Sequence, residues 1–293
     1  MSEDLPIIEV VDEVGSTNAE MKSRGRAGAP HGSALRACVQ TSGRGQRSHV
    51  WESPRGGLYL SVLIRPDVCG EAMPALPVAC ALGALGALRD LGCTRVRLKW
   101  PNDIVVGGRK LAGMLTELAA SHDGVFAVCG IGVNMEEPVM PLEGSSAALR
   151  PVGLVDELAP GVQPPTLCEL SEALRRGILE AVEGWSAADR WNRAHPSSPA
   201  QAMQTSSADM RHWIKDPVRG GAEGPLAPLL APYNASLAFV GKRVRIIALD
   251  GDERARGLFL GVDGYGHALV AHEDGAVDTY DSADVSIRPV DHS

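Results

Sequence analysis

Between Arg95 and Met135 the chain alternates apolar runs with short breaks, and this pattern limits the fold more than any other stretch. The runs RVRLKW, DIVV and RKLAGMLTELAA are separated by Pro101-Asn102 and by Gly107-Gly108, and His122-Asp123-Gly124 leads into VFAVCGIGVNM. A Gly-Gly pair supplies positive φ at both centres of a two-residue turn, so DIVV and the run after it are predicted to pair as a hairpin. Consecutive hairpins make an antiparallel or mixed sheet with few helices.

Upstream, Ile7 to Asp12 reads as a strand, and Ser16-Thr17-Asn18 offers cap oxygens to a following helix, with Thr17-x-x-Glu20 in the form of a capping box. Ser33 to Gln40 and Gly57 to Arg65 read as strands flanking the polar segment TSGRGQRSHVWESPRG, a long loop of the kind that carries function. Ala72 to Leu88 is an uncharged run of 17 residues. A membrane span needs about 20 and would not favour Pro74, Pro77, Gly83 and Gly86 together, so the run is read as a core helix of roughly Met73 to Leu91. A second helix is expected over Leu167 to Trp185, after a variable stretch from Glu136 to Pro165.

From Pro196 to Pro232 the composition shifts to Pro, Ser, Gly, Ala and Gln, which marks a poorly ordered linker or surface insertion. Beyond it, short apolar runs broken by Asp250-Gly251, Asp263-Gly264 and Asp274-Gly275 suit a small all-β barrel. The expected division is a catalytic domain over 1–195, an insertion over 196–236 and a barrel over 237–293, in an α+β fold whose mixed sheet is flanked by helices.

Charge narrows the function. Lys and Arg number 28 against 36 Asp and Glu, a net charge of −8, which disfavours a sequence-independent nucleic-acid coat. The six cysteines show neither a CxxC pair nor metal-ligand spacing, so reduced thiols in the cytosol are expected, and the N-terminus lacks the form of a signal peptide. Gly130-Ile131-Gly132 lacks the third glycine of a dinucleotide fingerprint, Gly241-Lys242 is not a P-loop, and no GxSxG elbow occurs. What remains is a local cationic set. Gly43-Arg44-Gly45-Gln46-Arg47 suits close approach to an anion, and Lys99 and Lys110 converge if the Gly-Gly hairpin forms. Such a set offsets charge developing in phosphoryl or nucleotidyl transfer. Asp103 suits three roles, as a Mg²⁺ ligand, as a group orienting an attacking amine, or as a turn residue.

Taken together, Ser16-Thr17-Asn18, Gln40-x-x-Gly43-Arg44-Gly45, Trp51, Lys99-Trp100-Pro101-Asn102-Asp103, Arg109-Lys110-Leu111-Ala112-Gly113 and Gly130-Ile131-Gly132-Val133-Asn134-Met135 resemble the biotin protein ligases. The resemblance is dense from Ile7 to Met135, and Gly241 to Val290 resembles the SH3-like barrel of that family. It implies activation of biotin by Mg-ATP to biotinyl-adenylate, then transfer to a lysine on the carboxyl carrier domain of a biotin-dependent carboxylase. Position by position, it implies that Ser16, Thr17, Asn18 and Gln40 line the biotin head group and that Arg44, Gly45 and Gln46 close over biotin and adenylate. It further implies that Lys110 holds carboxylate and phosphate oxygens, Lys99 supports the phosphates, Trp51 packs by the adenine, Asn134 meets the adenine edge, Gly113 belongs to the binding site, and Asp103 faces Mg²⁺ or the incoming amine.

One position departs: where a common form of the loop reads Gly-Arg-Gly-Arg, this chain has Gln46, followed by Arg47 and, at another often basic position, His49. Glutamine donates a hydrogen bond but no charge, which leaves Arg47 as a substitute. Because the first strand begins near Ile7, no N-terminal DNA-binding domain is expected, and neither DNA nor a membrane is an expected partner; monomer and homodimer both stay open. Two rival readings differ in class: a lipoate or octanoate ligase, which would want an apolar tunnel rather than this hydrogen-bonding set, and a biotin-binding module without catalysis.

Overall fold

Seven strands form the main sheet: β1 (Glu9–Val14), β2 (Ala34–Gln40), β3 (Leu58–Ile64), β4 (Arg97–Lys99), β5 (Asp103–Val106), β6 (Arg109–Ser121) and β7 (Gly124–Val133). Their spatial order is β1-β2-β3-β7-β6-β5-β4, with β1 and β2 parallel and the other neighbours antiparallel. A computed structural model provides this description, covering residues 5–48, 50–138, 149–194 and 223–290. The hairpin expected at Gly107-Gly108 forms, with φ of 56° and 79° at the two glycines, the positive pair such a turn demands.

Helix α1 (Thr17–Arg26) covers one face of the sheet over Met21, Leu35, Leu63, Phe126 and Val128. The opposite face is buried under α2 (Leu76–Asp90) and α3 (Leu167–Ala194), which carry the larger core. Ala79, Cys80, Ala84, Leu85 and Leu88 are buried in α2, so the uncharged run is a core helix. The two helices touch backbone to backbone, since a Cβ built at Gly83 would lie 2.2 Å from the Gly177 carbonyl oxygen. Expected strands and helices shift by a few residues; β1 starts at Glu9, and α3 runs past Trp185 to Ala194.

The capping box is a correction. Ser16 occupies the N-cap without a side-chain cap bond, the Thr17 hydroxyl turns to Gln40, and Glu20 pairs with Arg24 instead. A long-range partner displaces the local one here: Gln40 Oε1 accepts from both Thr17 N and Thr17 Oγ1, so a free N–H at the buried start of the helix is satisfied from β2 rather than from within the helix.

After the described residues resume at 223, α4 (Leu230–Ser236) leads into five antiparallel strands, β8 (Arg243–Ala248), β9 (Glu253–Val262), β10 (Ala268–Ala271), β11 (Val277–Tyr280) and β12 (Val285–Pro289), ordered β11-β10-β9-β8-β12. The edge strands β11 and β12 do not pair, so hydrogen bonding leaves the small barrel open. The expected insertion ends too late. Leu226, Leu230 and Tyr233 are buried, and Asn234 exchanges two hydrogen bonds with Val262, so 223–236 is a packed bridge rather than a loose segment. Its spacing of Leu226, Leu230, Tyr233 and Leu237 is helical, though Pro228 and Pro232 mask it. Residues 195–222, most of that insertion, lie outside the described residues. Trp100 Nε1 donates to the Gly266 carbonyl at 2.8 Å, and Ala238 N donates to Leu98 O at 2.6 Å, which ties the C-terminal sheet to β4.

Candidate active site

A cleft of about 420 Å³ opens on the α1 face of the main sheet and is closed on one side by the C-terminal sheet. Its floor is glycine. Gly130 and Gly132 stand two apart on β7 and so point to one face, and Gly113 of β6 pairs directly with Gly132. A Cβ at Gly130 would lie 2.3 Å from Asn18 Oδ1, one at Gly132 would lie 2.4 Å from Trp51 Nε1, and one at Gly113 would meet the Trp51 ring at 2.7 Å. The Gly-Ile-Gly run is therefore a cradle on a pleated strand, not a phosphate loop before a helix.

One end of the cleft is neutral and tightly hydrogen-bonded. Gln40 Oε1 accepts from Thr17 N at 2.9 Å and Thr17 Oγ1 at 3.0 Å, and Gln40 Nε2 donates to Ser53 Oγ at 2.8 Å. Ser61 Oγ stands 2.8 Å from Thr17 Oγ1 and 2.6 Å from Asn18 Oδ1, so its single proton serves one of the two. Asn18 Nδ2 donates to Leu115 O at 3.1 Å and to Glu117 Oε2 at 2.9 Å. Ser16, Thr17 and Asn18 are all about 95% buried. Ser53, Ser61 and Glu117 went unread in the sequence, although the β3 run LYLSVLI places a single serine among large apolar and aromatic residues, a signal in retrospect.

The other end is charged. Lys99 Nζ lies 3.2 Å from Asp103 Oδ2 and Lys110 Nζ lies 2.7 Å from Asp103 Oδ1. The lysines converge as the hairpin predicts, yet they converge on Asp103. Burial pushes the Asp103 carboxyl upward, but the two ammonium groups outweigh it and hold the carboxyl below the ordinary carboxylate range. Burial lowers the Lys99 ammonium, and Asp103 works against that. Lys110 also sits 4.9 Å above the Trp51 ring, a cation–π contact.

Two of the expected site residues are already engaged within the protein. Each Asp103 oxygen faces an ammonium group, and no cluster of three or more His, Cys, Asp or Glu side chains that could hold a metal stands among the described residues; Mg²⁺ held through one carboxylate takes its other oxygens from the nucleotide and water. The Asn134 amide donates to the Lys110 carbonyl at 3.2 Å and so braces β6.

The flap from Gln40 to Ser53 reaches over the cleft, with bridges at Gln40–Ser53 and Arg44–Val50. A Cβ at Gly43 would strike the Trp51 carbonyl at 2.2 Å, so only glycine fits there. Arg44, Gly45, Gln46 and Arg47 line the opening, but Arg47, at φ 55°, donates from Nη2 to the Val285 carbonyl at 2.7 Å. Its guanidinium is thus spent on the C-terminal sheet rather than free to replace an arginine at position 46. His49 lies outside the described residues.

The C-terminal sheet supplies what the sequence reading missed. Ile247, Ala248, Leu249, Gly251, Ser286 and Arg288 line the cleft. Burial lowers the Arg288 guanidinium, Asp103 opposes this, and Arg245 and Arg47 add to it; its Nε is buried without a hydrogen-bond partner among the described residues. The run V-S-I-R held the clue, since Val285 and Ile287 are buried and the alternate residues must face elsewhere. A larger, shallower hollow of about 640 Å³ lies at Arg243, Arg256 and His272; its two guanidinium groups are already paired with Glu273 and Glu253, and His272 Nε2 stands 3.1 Å from Asp278.

Residues 14–134 match the Biotin/lipoate A/B protein ligase family, and residues 239–288 match the Biotin protein ligase C terminal domain. The biotin–[acetyl-CoA-carboxylase] ligase of Paracoccus denitrificans is 30% identical over 260 residues, 87% of this chain and 90% of that protein. The bifunctional ligase/repressor BirA of Bacillus subtilis is 35% identical over 128 residues, 43% of this chain and only 39% of that protein. Among solved structures, the biotin protein ligase from Aquifex aeolicus in complex with biotin and ATP shares the fold with a TM-score of 0.66 at 22% identity, over 97% of this chain and all of that one. With a glycine-floored cleft at the junction of two matching domains and a relative aligned almost end to end, the chain belongs to the biotin protein ligase family.

Proposed function

We propose that this protein joins biotin to a lysine of a biotin carboxyl carrier domain in two ATP-driven steps. The observation that carries the reading is the polarity of one continuous cleft: a neutral hydrogen-bonding end at Thr17, Asn18 and Gln40, and a cationic end at Lys99, Lys110 and Arg288. The neutral end suits a urea, which offers two N–H donors and a carbonyl acceptor. The cationic end suits a triphosphate and the charge that builds on it.

In the first step a biotin carboxylate oxygen attacks the α-phosphorus of ATP, the bond to the β-phosphate oxygen breaks, and pyrophosphate leaves. Lys110, part-exposed at the cleft and beside Trp51, is placed to meet carboxylate and α-phosphate oxygens together. Asp103 fixes both lysines and, with its low pKa, is a poor base; its role is to hold their charges in position. Mg²⁺ enters this reading as part of the ATP substrate, neutralising phosphate oxygens. The flap and the C-terminal sheet exclude water from the mixed anhydride. In the second step the carrier lysine amine attacks the acyl carbon, loses a proton, and AMP departs. Trp51 and Gly113 are assigned to the adenine side, and a cytoplasmic setting belongs to the same reading.

Biotin-dependent exchange of labelled pyrophosphate into ATP, with lipoate in parallel, tests it. Exchange with biotin alone is expected, followed by transfer to a purified carrier domain. Exchange with lipoate alone would move the assignment to a lipoate ligase, and none with either would leave a binding module.

A further inference from the structure

Asn18 faces the neutral end of the cleft, yet both protons of its amide are committed away from it. One goes to the Leu115 carbonyl and one to Glu117, both acceptor-only groups. The amide oxygen lies over the backbone of Gly130, which lines the cleft, and 2.6 Å from Ser61 Oγ; with two lone pairs it keeps an acceptor site even when Ser61 donates to it. An amide turned the other way would set its oxygen against a carbonyl and a carboxylate at once, so the two acceptors select one orientation.

Glu117 is itself held. It stands on β6 two residues after Leu115, on the same sheet face, and its second oxygen pairs with Lys22, one turn along α1 from Asn18. Burial raises the Glu117 carboxyl, but hydrogen bonds from Lys22 and Asn18 and the charges of Lys22 and Arg44 bring it below its ordinary value. It therefore stays an ionised acceptor in neutral solution.

We propose that Glu117 is a positioning and specificity residue for the biotin head group: by binding the Asn18 amide protons with Leu115, it makes Asn18 present an acceptor to the cleft, which selects head groups carrying N–H donors. The inference rests on the ligase reading above. It assigns Glu117, which does not line the cleft, a function exerted through Asn18, and it assigns Lys22 the lesser role of steadying Glu117.

Pyrophosphate exchange measured with the full chain, varying biotin and ATP separately, tests this. Glu117→Ala is expected to raise the biotin KM about tenfold, the worth of one buried hydrogen bond, with the ATP KM within about twofold of wild type. Glu117→Gln, which still accepts from Asn18, should stay within about threefold of wild type, whereas a role through charge would not be rescued. In an Asn18→Ala background the Glu117→Ala effect should vanish, since the two act as a unit. Should Glu117→Ala not fold, Glu117→Met, which keeps the volume and lacks an acceptor, carries the same expectation. The proposal is overturned by an unchanged biotin KM, by equal increases in both KM values, or by an undiminished effect in the Asn18→Ala background. Loss of biotin-dependent exchange in the wild type would instead overturn the ligase reading and this inference with it.

Discussion

At the Thr17–Gln40 end of the cleft, neutral donors and acceptors satisfy one another within two or three bonds; at the Lys99–Lys110 end, three cations surround one carboxylate. The first end is pre-organised for a ligand whose polarity is fixed in advance. The second holds more positive charge than Asp103 alone balances, and so it suits an anion. The first is made almost wholly by the main sheet and α1, whereas the second is completed by Arg288 from the C-terminal sheet. A ligand that spans both ends must therefore touch both parts of the molecule, which gives the C-terminal sheet a reason to sit where it does.

The comparison predicts that the two ends fail differently. The largest effect is expected from Asp103→Ala, which leaves the Lys99 ammonium, only 3% exposed, without its partner. Loss of one member of a buried pair costs about 3–5 kcal/mol, so unfolding in urea should move by that amount; a change below about 1 kcal/mol would mean that Lys99 is relieved some other way and the charged end is not held as described. Lys110→Ala should leave stability close to wild type, because Lys110 is 30% exposed and Asp103 keeps Lys99. Adenylation should nonetheless fall roughly a hundredfold or more, as expected for removal of a group that meets transition-state charge; near-normal pyrophosphate exchange would refute that role.

Thr17→Val tests the neutral end. It keeps shape and removes the hydroxyl that links Gln40 to Ser61, and the biotin KM should rise about tenfold while the ATP KM holds. An effect on ATP instead would erase the distinction between the two ends. The smallest change concerns the flap, where Gln46→Arg should slow escape of the adenylate by less than about fivefold, the reach of a solvent-exposed ion pair, and leave its synthesis alone. An unchanged escape rate in a single-turnover release assay would show that the Arg47 tie to Val285 already sets retention.

Much of this was legible in the chain. The sheet was readable from its turns, because Gly107-Gly108 has few alternatives in backbone conformation, and the core helix was readable from its length and its prolines. Residues of the cleft such as Thr17, Gln40, Lys99, Lys110 and the flap were found because their motifs lie within short stretches. What was not legible shares one cause. Spacing pairs Thr17 with Glu20, but Thr17 answers to a residue 23 positions away; Asp103 is met by Lys110 from the next strand, and the Asn134 amide is met by the Lys110 carbonyl.

By itself, then, the sequence determined the hairpins, the buried faces and the chemical character of the cleft, since turn geometry, periodicity and side-chain type are local properties. Only the tertiary structure decided which charges pair, that the packed bridge from residue 223 joins the two sheets, and that Arg288 and Glu117 take part. The physical reason is range. Hydrogen bonds and ion pairs act over a few ångströms, and which groups come that close across a hundred residues of chain is set by how the sheet and its helices pack, not by any spacing along the sequence.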